Sequence, residues 1–145
     1  MTAKEYLLKI QTYRQTMQTY ADRIDELYND AAGLKAIVYD KDRVQVSPEN
    51  RLEEAFVQID SLAEKYVKAR LRYEREVRKR IDQIGSLDNP LYIKVLTLRY
   101  VDDMRWEEIA CATHYSFRHV TRIHGQALAA FTARYKDVLS CPKKP

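Results

Sequence analysis

Residues 91–131 have the sequence LYIKVLTLRYVDDMRWEEIACATHYSFRHVTRIHGQALAAF, and their pattern predicts three short helical pieces separated by tight turns. The pieces span residues 91–100, 106–113 and 117–135. The second and third pieces have the pattern of a helix-turn-helix, which is a short helix, a tight turn and a longer helix. The small Ala110 lies where these two helices are expected to cross. We therefore expect Ile109 and Val120 to fill the space between the second and third pieces.

The third piece carries the candidate site. Ser116 is a good N-cap, and it leaves first-turn N–H groups that can bond a phosphate. The side chains that follow can reach phosphates or base edges in a major groove, with Arg118 and Arg122 as the base-reading arginines. The candidate DNA-binding residues are Ser116, Phe117, Arg118, His119, Thr121, Arg122 and Gln126. His114 occupies a turn position where left-handed backbone is expected and where such motifs often carry glycine.

Two long stretches on the N-terminal side have apolar residues at alternating steps of three and four, the spacing of a coiled-coil seam. The first seam is Tyr6, Ile10, Tyr13, Met17, Tyr20, Ile24, Leu27, Ala31 and Leu34. The second seam is Leu52, Phe56, Ile59, Ala63, Tyr66, Arg70, Tyr73, Val77, Arg80 and Ile84. They predict a coiled-coil-like helical hairpin with arms of roughly 45 to 55 Å at 1.5 Å per residue. At Arg70 and Arg80 the seam turns polar, so the hairpin is expected to loosen there or to accept an acidic partner.

The remaining segments set the boundaries. Residues 36–47 lose the heptad and predict a partly extended loop, after which Ser47-Pro48 predicts the start of the second helix. The segment Gly85-Ser86-Leu87-Asp88-Asn89-Pro90 predicts a helix end and a new helix start. We thus expect residues 1–85 to form an oligomerisation arm and residues 86–145 to form a DNA-binding domain.

Composition favours an all-α chain, because sheets and phosphate-binding loops consume glycine and 145 residues contain only 3. Gly33 and Gly85 are expected to end helices. Gly125 is expected to allow the first helix of the C-terminal domain to approach closely.

The net charge of +4 is distributed unevenly along the chain. Residues 1–63 sum to −3, residues 64–82 to +4 and residues 83–145 to +3. A basic C-terminal half suggests an anionic partner such as nucleic acid. For residues 64–82 the alternatives are a supplementary phosphate contact and an ordinary solvated helix face.

Several classes of protein are not expected. The sequence lacks an apolar run of about 18 residues and an apolar secretory leader, which predicts a cytoplasmic protein, associated with the nucleoid when bound to DNA. Cys111 and Cys141 form no CxxC pair and are expected to be reduced thiols. No second ligand pair accompanies Cys111 and His114, so no zinc site, metal or cofactor is expected. No nucleophile, base and orienting group can be assembled, and we expect no enzyme activity.

Residues 91–131 resemble the region 4 helix-turn-helix of bacterial sigma factors in Leu98-Arg99-Tyr100, Glu108-Ile109-Ala110, the Ser116 cap and the closing Ala127-Leu128. The whole chain is similar to a family of small phage and prophage proteins of Gram-positive bacteria with a sigma-like C-terminal domain. The shared segments are residues 3–7, 44–45, 47–48, 106–110, 115–116 and 122–125. Relatives of the ArpU and RinA type regulate phage late genes, so the resemblance implies transcription control.

The expected function is sequence-specific binding of double-stranded DNA by a transcription regulator of phage or prophage genes. A single module makes only a few base contacts, so the arm is expected to supply a homodimer or a contact with RNA polymerase. Homodimerisation through the hairpin is the favoured version. The alternatives are a DNA-packaging recognition protein of the small-terminase kind and a structural coiled-coil adaptor.

Overall fold

The computed structural model describes residues 1–38 and 48–140, and every regular element in those residues is a helix. The expectation of an all-α chain is thereby confirmed for the described part. The elements are α1 (Ala3–Val38), α2 (Pro48–Gly85), α3 (Pro90–Leu96) with a π-helical continuation (Thr97–Val101), α4 (Trp106–Thr113), α5 (Phe117–Arg134) and α6 (Lys136–Ser140).

The long helix α1 begins with a capping box that the sequence analysis did not identify. The Glu5 N–H donates to Thr2 Oγ1 at 3.2 Å, and the Thr2 N–H donates to Glu5 Oε2 at 2.8 Å. This reciprocal pair satisfies two N–H groups that the helix itself leaves open. The expected end at Gly33 is wrong, because α1 continues to Val38. Pro48 does begin α2, whereas the predicted Ser47 cap and the loop residues 39–47 lie outside the described residues.

The chain divides into two compact units, and both long helices contribute to each of them. The unit formed by Tyr13–Tyr73 buries seam residues Leu27 and Ile59. In this unit the Arg14 guanidinium donates to the Tyr73 hydroxyl at 3.1 Å. Seam residue Phe56 is 41% exposed, so the predicted burial fails at that position.

The other unit comprises Met1–Thr12 together with Glu74–Pro145, of which residues up to 140 are described. Its limits differ from the predicted division after residue 85. The physical reason is that residues before position 85 pack against residues after it. The Tyr6 ring lies 6.1 Å from the Phe131 ring, and the Tyr135 hydroxyl donates to the Gln83 carbonyl at 3.3 Å. The ends of the two long helices thus belong to the same core as α5.

Arg80 lies at the centre of this packing and is only 1% exposed. Its Nη1 donates to Glu76 Oε2 at 2.6 Å, and its Nε donates to the Tyr6 carbonyl at 3.1 Å. The expectation that the seam loosens at Arg80 or awaits an external acidic partner is therefore wrong, because Glu76 on the same helix supplies the carboxylate. Arg70, the other polar seam residue, is exposed.

The three predicted C-terminal pieces are confirmed within a few residues. Asn89 caps α3 by accepting the Leu91 N–H at 2.9 Å, and Pro90 occupies its first turn. The first predicted piece ends as a π-helical turn rather than as regular α-helix. The common core of these helices consists of Val95, Ile109, Val120 and Ile123. Ile109 and Val120 are fully buried, as expected.

Gly125 does not serve the purpose that the sequence suggested. A Cβ atom built on it would meet no heavy atom of residues 1–38 or 48–140 within 4 Å, so none of the described helices crosses closely there. Gly85 is the last residue of α2, as predicted, and its φ is not positive. Two residues that lie between helices do have a positive φ, Asp103 with 56° and His114 with 59°.

Candidate nucleic-acid interface

The turn between α4 and α5 is set by hydrogen bonds from its own backbone. His114 is left-handed (φ 59°, ψ 30°), as the sequence predicted for that position. The His114 N–H donates to the Cys111 carbonyl at 3.3 Å, and the Tyr115 N–H donates to the Ala110 carbonyl at 3.2 Å. These bonds satisfy carbonyls that α4 leaves open at its end. The chain therefore turns sharply into α5 without a glycine.

The start of α5 is favourable for an anion. Ser116 is extended (φ −67°, ψ 153°), and its Oγ accepts the His119 N–H at 3.3 Å, so the predicted cap is confirmed. No acidic residue lies in the first turn of this helix. The partial positive charge of the helix N-terminus is therefore not compensated by a carboxylate on the same turn.

The seven candidate residues divide into two groups by exposure. The exposed ones are Ser116, Phe117, Arg118, Arg122 and Gln126, whereas His119 and Thr121 are half-buried. Phe117 is 49% exposed although it is a large aromatic side chain. His119 and Thr121 are thus less accessible than the other residues of the predicted outward face.

The two half-buried residues interact with neighbours on their own helix. Thr121 Oγ1 donates to the Arg118 carbonyl at 3.0 Å. His119 Nδ1 lies 3.1 Å from Arg122 Nη2, and because a guanidinium can only donate, the imidazole nitrogen is the acceptor. His119 thereby restricts the orientation of the exposed Arg122 side chain.

A ring contact extends this arrangement into the turn. The Tyr115 and His119 rings lie 4.7 Å apart, and Tyr115 is itself 43% exposed. Sequence reasoning missed Tyr115 as a member of the site. The spacing of three between His119 and Arg122 was a usable signal, because such residues are neighbours on a helix surface. Tyr115 precedes the first residue of α5, so helical spacing does not predict its contact with His119.

The Gln126 side chain contacts the neighbouring helix α3. The Tyr92 hydroxyl of α3 lies 3.4 Å from Gln126 Oε1, a long hydrogen bond. Lys94, also exposed on α3, donates to the Ala112 carbonyl of α4 at 3.2 Å. Side chains of α3 thus contact both helices that flank the turn.

The inner side of α5 contains a titratable cluster. His124 Nε2 lies 2.9 Å from the Tyr100 hydroxyl, and the edge of the Trp106 ring meets the imidazole with centroids 4.8 Å apart. The Arg99 guanidinium stacks over Trp106, 4.8 Å from its centroid. Burial raises the pKa of Tyr100 to about 12. Burial, together with the charges of Lys4 and Arg99, lowers the pKa of His124 to about 4.

We expect the fold to lose stability as the pH falls from about 6.5 to about 4. An unfolded histidine titrates near 6.5, so in this window the unfolded chain takes up a proton that folded His124 resists. Neutral His124 thus makes its full contribution to stability above pH 6.5, and this contribution is lost as the pH falls from 6.5 to about 4. Because the ring is partly exposed, we expect about 1 to 2 kcal/mol. Urea unfolding at pH 7 and at pH 4.5 measures the loss.

The matched variant for this measurement is His124→Gln, which does not titrate and keeps a hydrogen-bonding group facing Tyr100. Protonation of carboxylates lowers the stability of both proteins equally. The wild type should lose about 1 to 2 kcal/mol more than the variant between the two pH values. Equal losses would show that His124 does not contribute to acid sensitivity.

Other kinds of site receive no support from the described residues. Residues 1–38 and 48–140 contain no cluster of three or more His, Cys, Asp or Glu side chains arranged to hold a metal ion. Cys111 is exposed and unpaired, and Cys141 lies outside the described range. None of the described helices combines the length and apolarity needed to cross a membrane.

No family model, curated protein or solved structure matches this chain.

Proposed function

We propose that this chain is a sequence-specific double-stranded DNA-binding protein that inserts α5 into the major groove and acts in transcription control. The observation that carries the proposal is the position of Arg118 and Arg122. Both are exposed on α5, on the side away from the buried Val120, Ile123 and Ala127. The assignment to transcription control rests on the resemblance of residues 91–131 to sigma region 4. The assignment to phage or prophage genes rests on the similarity of the whole chain to small phage and prophage proteins with a sigma-like C-terminal domain.

The dimensions of the two partners support this docking mode. An α-helix with its side chains is about 10 to 12 Å across, and the major groove of B-DNA is about 12 Å wide. Residues near the N-terminus of the second helix of such a motif contact base edges. Arg118 and Arg122 are the second and sixth residues of α5, and a guanidinium forms two hydrogen bonds with guanine O6 and N7.

The charge composition of α5 differs from that of an ordinary solvated helix face and favours a DNA-binding helix. Solvated faces alternate basic and acidic residues, which pair at spacings of three and four. The 18 residues of α5, FRHVTRIHGQALAAFTAR, contain three arginines and two histidines but no Asp or Glu. No carboxylate of its own helix can therefore neutralise Arg118 or Arg122, and a polyanion supplies the missing negative charge.

Replacing Arg122 or Arg118 with alanine is expected to weaken specific DNA binding about 5- to 150-fold each, equivalent to roughly 1 to 3 kcal/mol. The target duplex is first obtained by selection from random-sequence DNA. Binding is then measured by fluorescence anisotropy at several salt concentrations. Both side chains are exposed, so the thermal midpoint of each variant should remain within about 2 °C of the wild type.

Arg134→Ala is the matched control, because it removes the same charge from the C-terminal end of the same helix. Its guanidinium lies 3.6 Å from Asp88 and is largely solvated. We expect this variant to change binding by less than about three-fold. Equal weakening by all three substitutions would indicate a general charge effect without base reading. Unchanged binding by Arg118→Ala and Arg122→Ala would contradict the assignment of the site.

A further inference from the structure

Gly125 lies in the middle of α5, which runs from Phe117 to Arg134. Glycine destabilises a helix interior relative to alanine, because it loses more backbone freedom on folding. A close contact inside the protein usually explains such a residue. Here a Cβ would meet no heavy atom within 4 Å, and the position is exposed. The fold of the described chain therefore gives no reason for the absence of a side chain.

The other two glycines differ in position. Gly85 is the last residue of α2, and Gly33 lies five residues before the described end of α1 at Val38. A helix end tolerates glycine well because the backbone there is less constrained, which accounts for Gly85, whereas Gly33 lies inside α1 near its described end. Both also have open space around them. Only Gly125 combines open space with a central position in its helix.

Gly125 shares a face with the two proposed base-reading arginines. Steps of four and three lead from Arg118 to Arg122 and then to Gly125, and residues at these spacings lie along one line of a helix. All three residues are exposed. The line thus begins with two long side chains and ends, one turn later, with bare backbone.

We propose that a sugar–phosphate strand of the bound duplex passes directly over the α5 backbone at Gly125. This inference rests on the proposed function. A recognition helix contacts bases through its N-terminal residues, so its middle crosses the edge of the groove. The absence of a side chain at that crossing lets the helix lie deep enough for Arg118 and Arg122 to reach the bases. Gly125 is a positioning residue and contacts no base.

The test variant is Gly125→Leu, and Gly33→Leu is its matched control. Both substitutions place the same side chain in open space on an exposed helix position. Leucine is the better helix former, so each variant should melt at or above the wild-type temperature. The probe is a duplex selected from random-sequence DNA with the wild-type protein. Gly125→Leu should bind it at least about ten-fold more weakly, whereas Gly33→Leu should bind it as the wild type does.

Gly125→Ala provides a second, smaller step. It should raise the thermal midpoint by roughly 2 to 4 °C and should weaken DNA binding less than leucine does. Wild-type affinity in Gly125→Leu would overturn the inference while leaving the proposed function intact. Failure of the wild-type protein to bind any selected duplex would overturn the proposed function and this inference with it. Weaker binding with unchanged or increased thermal stability would support both.

Discussion

Replacing Arg80 with alanine is expected to lower the free energy of unfolding by about 3 to 5 kcal/mol. The guanidinium is 1% exposed and has partners on two helices. Its Nε donates to the Tyr6 carbonyl on α1, and its Nη1 donates to both the carbonyl and the carboxylate of Glu76 on α2. Removing the side chain would leave the half-buried Glu76 carboxylate without its cationic partner and would remove a second donor from the Tyr6 and Glu76 carbonyls, which costs more than the net value of the pair.

Two further interactions of the Arg80 guanidinium contribute to the packing. Burial opposes ionisation of Glu76, but the hydrogen bond and charge of Arg80 outweigh burial and hold the pKa of that carboxyl below its usual value. The guanidinium also stacks on the Tyr6 ring, 4.3 Å from its centroid. We therefore expect Arg80→Met, which keeps the volume, to be less harmful than Arg80→Ala.

Arg78→Ala is the control for this experiment, since Arg78 lies two residues away on α2 and is exposed. It should change the free energy of unfolding by less than about 0.5 kcal/mol. Urea unfolding followed by circular dichroism at pH 7 measures all three variants. A loss below about 1 kcal/mol for Arg80→Ala would show that the buried guanidinium contributes no more than a surface ion pair does.

The C-terminal helices were predictable because local chemistry determines them. Asn89-Pro90 defines the start of α3, and Ser116 defines the start of α5 through a bond to the His119 N–H. The left-handed turn at His114 also followed from the motif, which often carries glycine at that position. These features depend on residues at most a few positions apart, which the sequence displays directly.

The division into compact units depended on partners far apart in sequence, and for this reason the sequence did not reveal it. Arg80 was interpreted as a weak point of the seam because a heptad pattern classifies a position as apolar or polar. The spacing of four between Glu76 and Arg80 was a usable signal for their ion pair. The pattern does not show that the Tyr6 carbonyl, 74 positions away, accepts the second bond. The same limit applies to Phe131, whose ring neighbour Tyr6 is 125 positions earlier.

The sequence predicted the exposed arginines of the candidate site but not the contacts that support them. Periodicity places Arg118 and Arg122 opposite the apolar face of α5, and they are exposed. Periodicity does not reveal that His119 is half-buried between the Tyr115 ring and the Arg122 guanidinium. For Gly125 the sequence correctly indicated that a missing side chain needs a reason, but it located the close contact inside the protein.

Phe131→Ala is the second substitution for which we expect a loss of about 3 to 5 kcal/mol. Its ring is fully buried near the C-terminal end of α5, 6.1 Å from the Tyr6 ring and 4.9 Å from the Tyr135 ring. Truncation removes the buried ring surface and leaves a cavity beside the rings of Tyr6 and Tyr135. A loss of this size is a large fraction of the roughly 5 to 15 kcal/mol that stabilises a typical domain.

This substitution also tests the assignment of the α1 N-terminus to the C-terminal unit. If Tyr6 and Phe131 share one cooperative core, Tyr6→Ala and Phe131→Ala should destabilise the same transition, and the double variant should lose less than the sum of the two. Thr132→Ala, at the exposed neighbouring position, should have little effect. Unfolding of Tyr6→Ala in two separate steps, with the α5 region unaffected, would instead support an independent domain that begins at residue 86. Strict additivity in the cycle would likewise show that the contact between the two rings contributes nothing to stability.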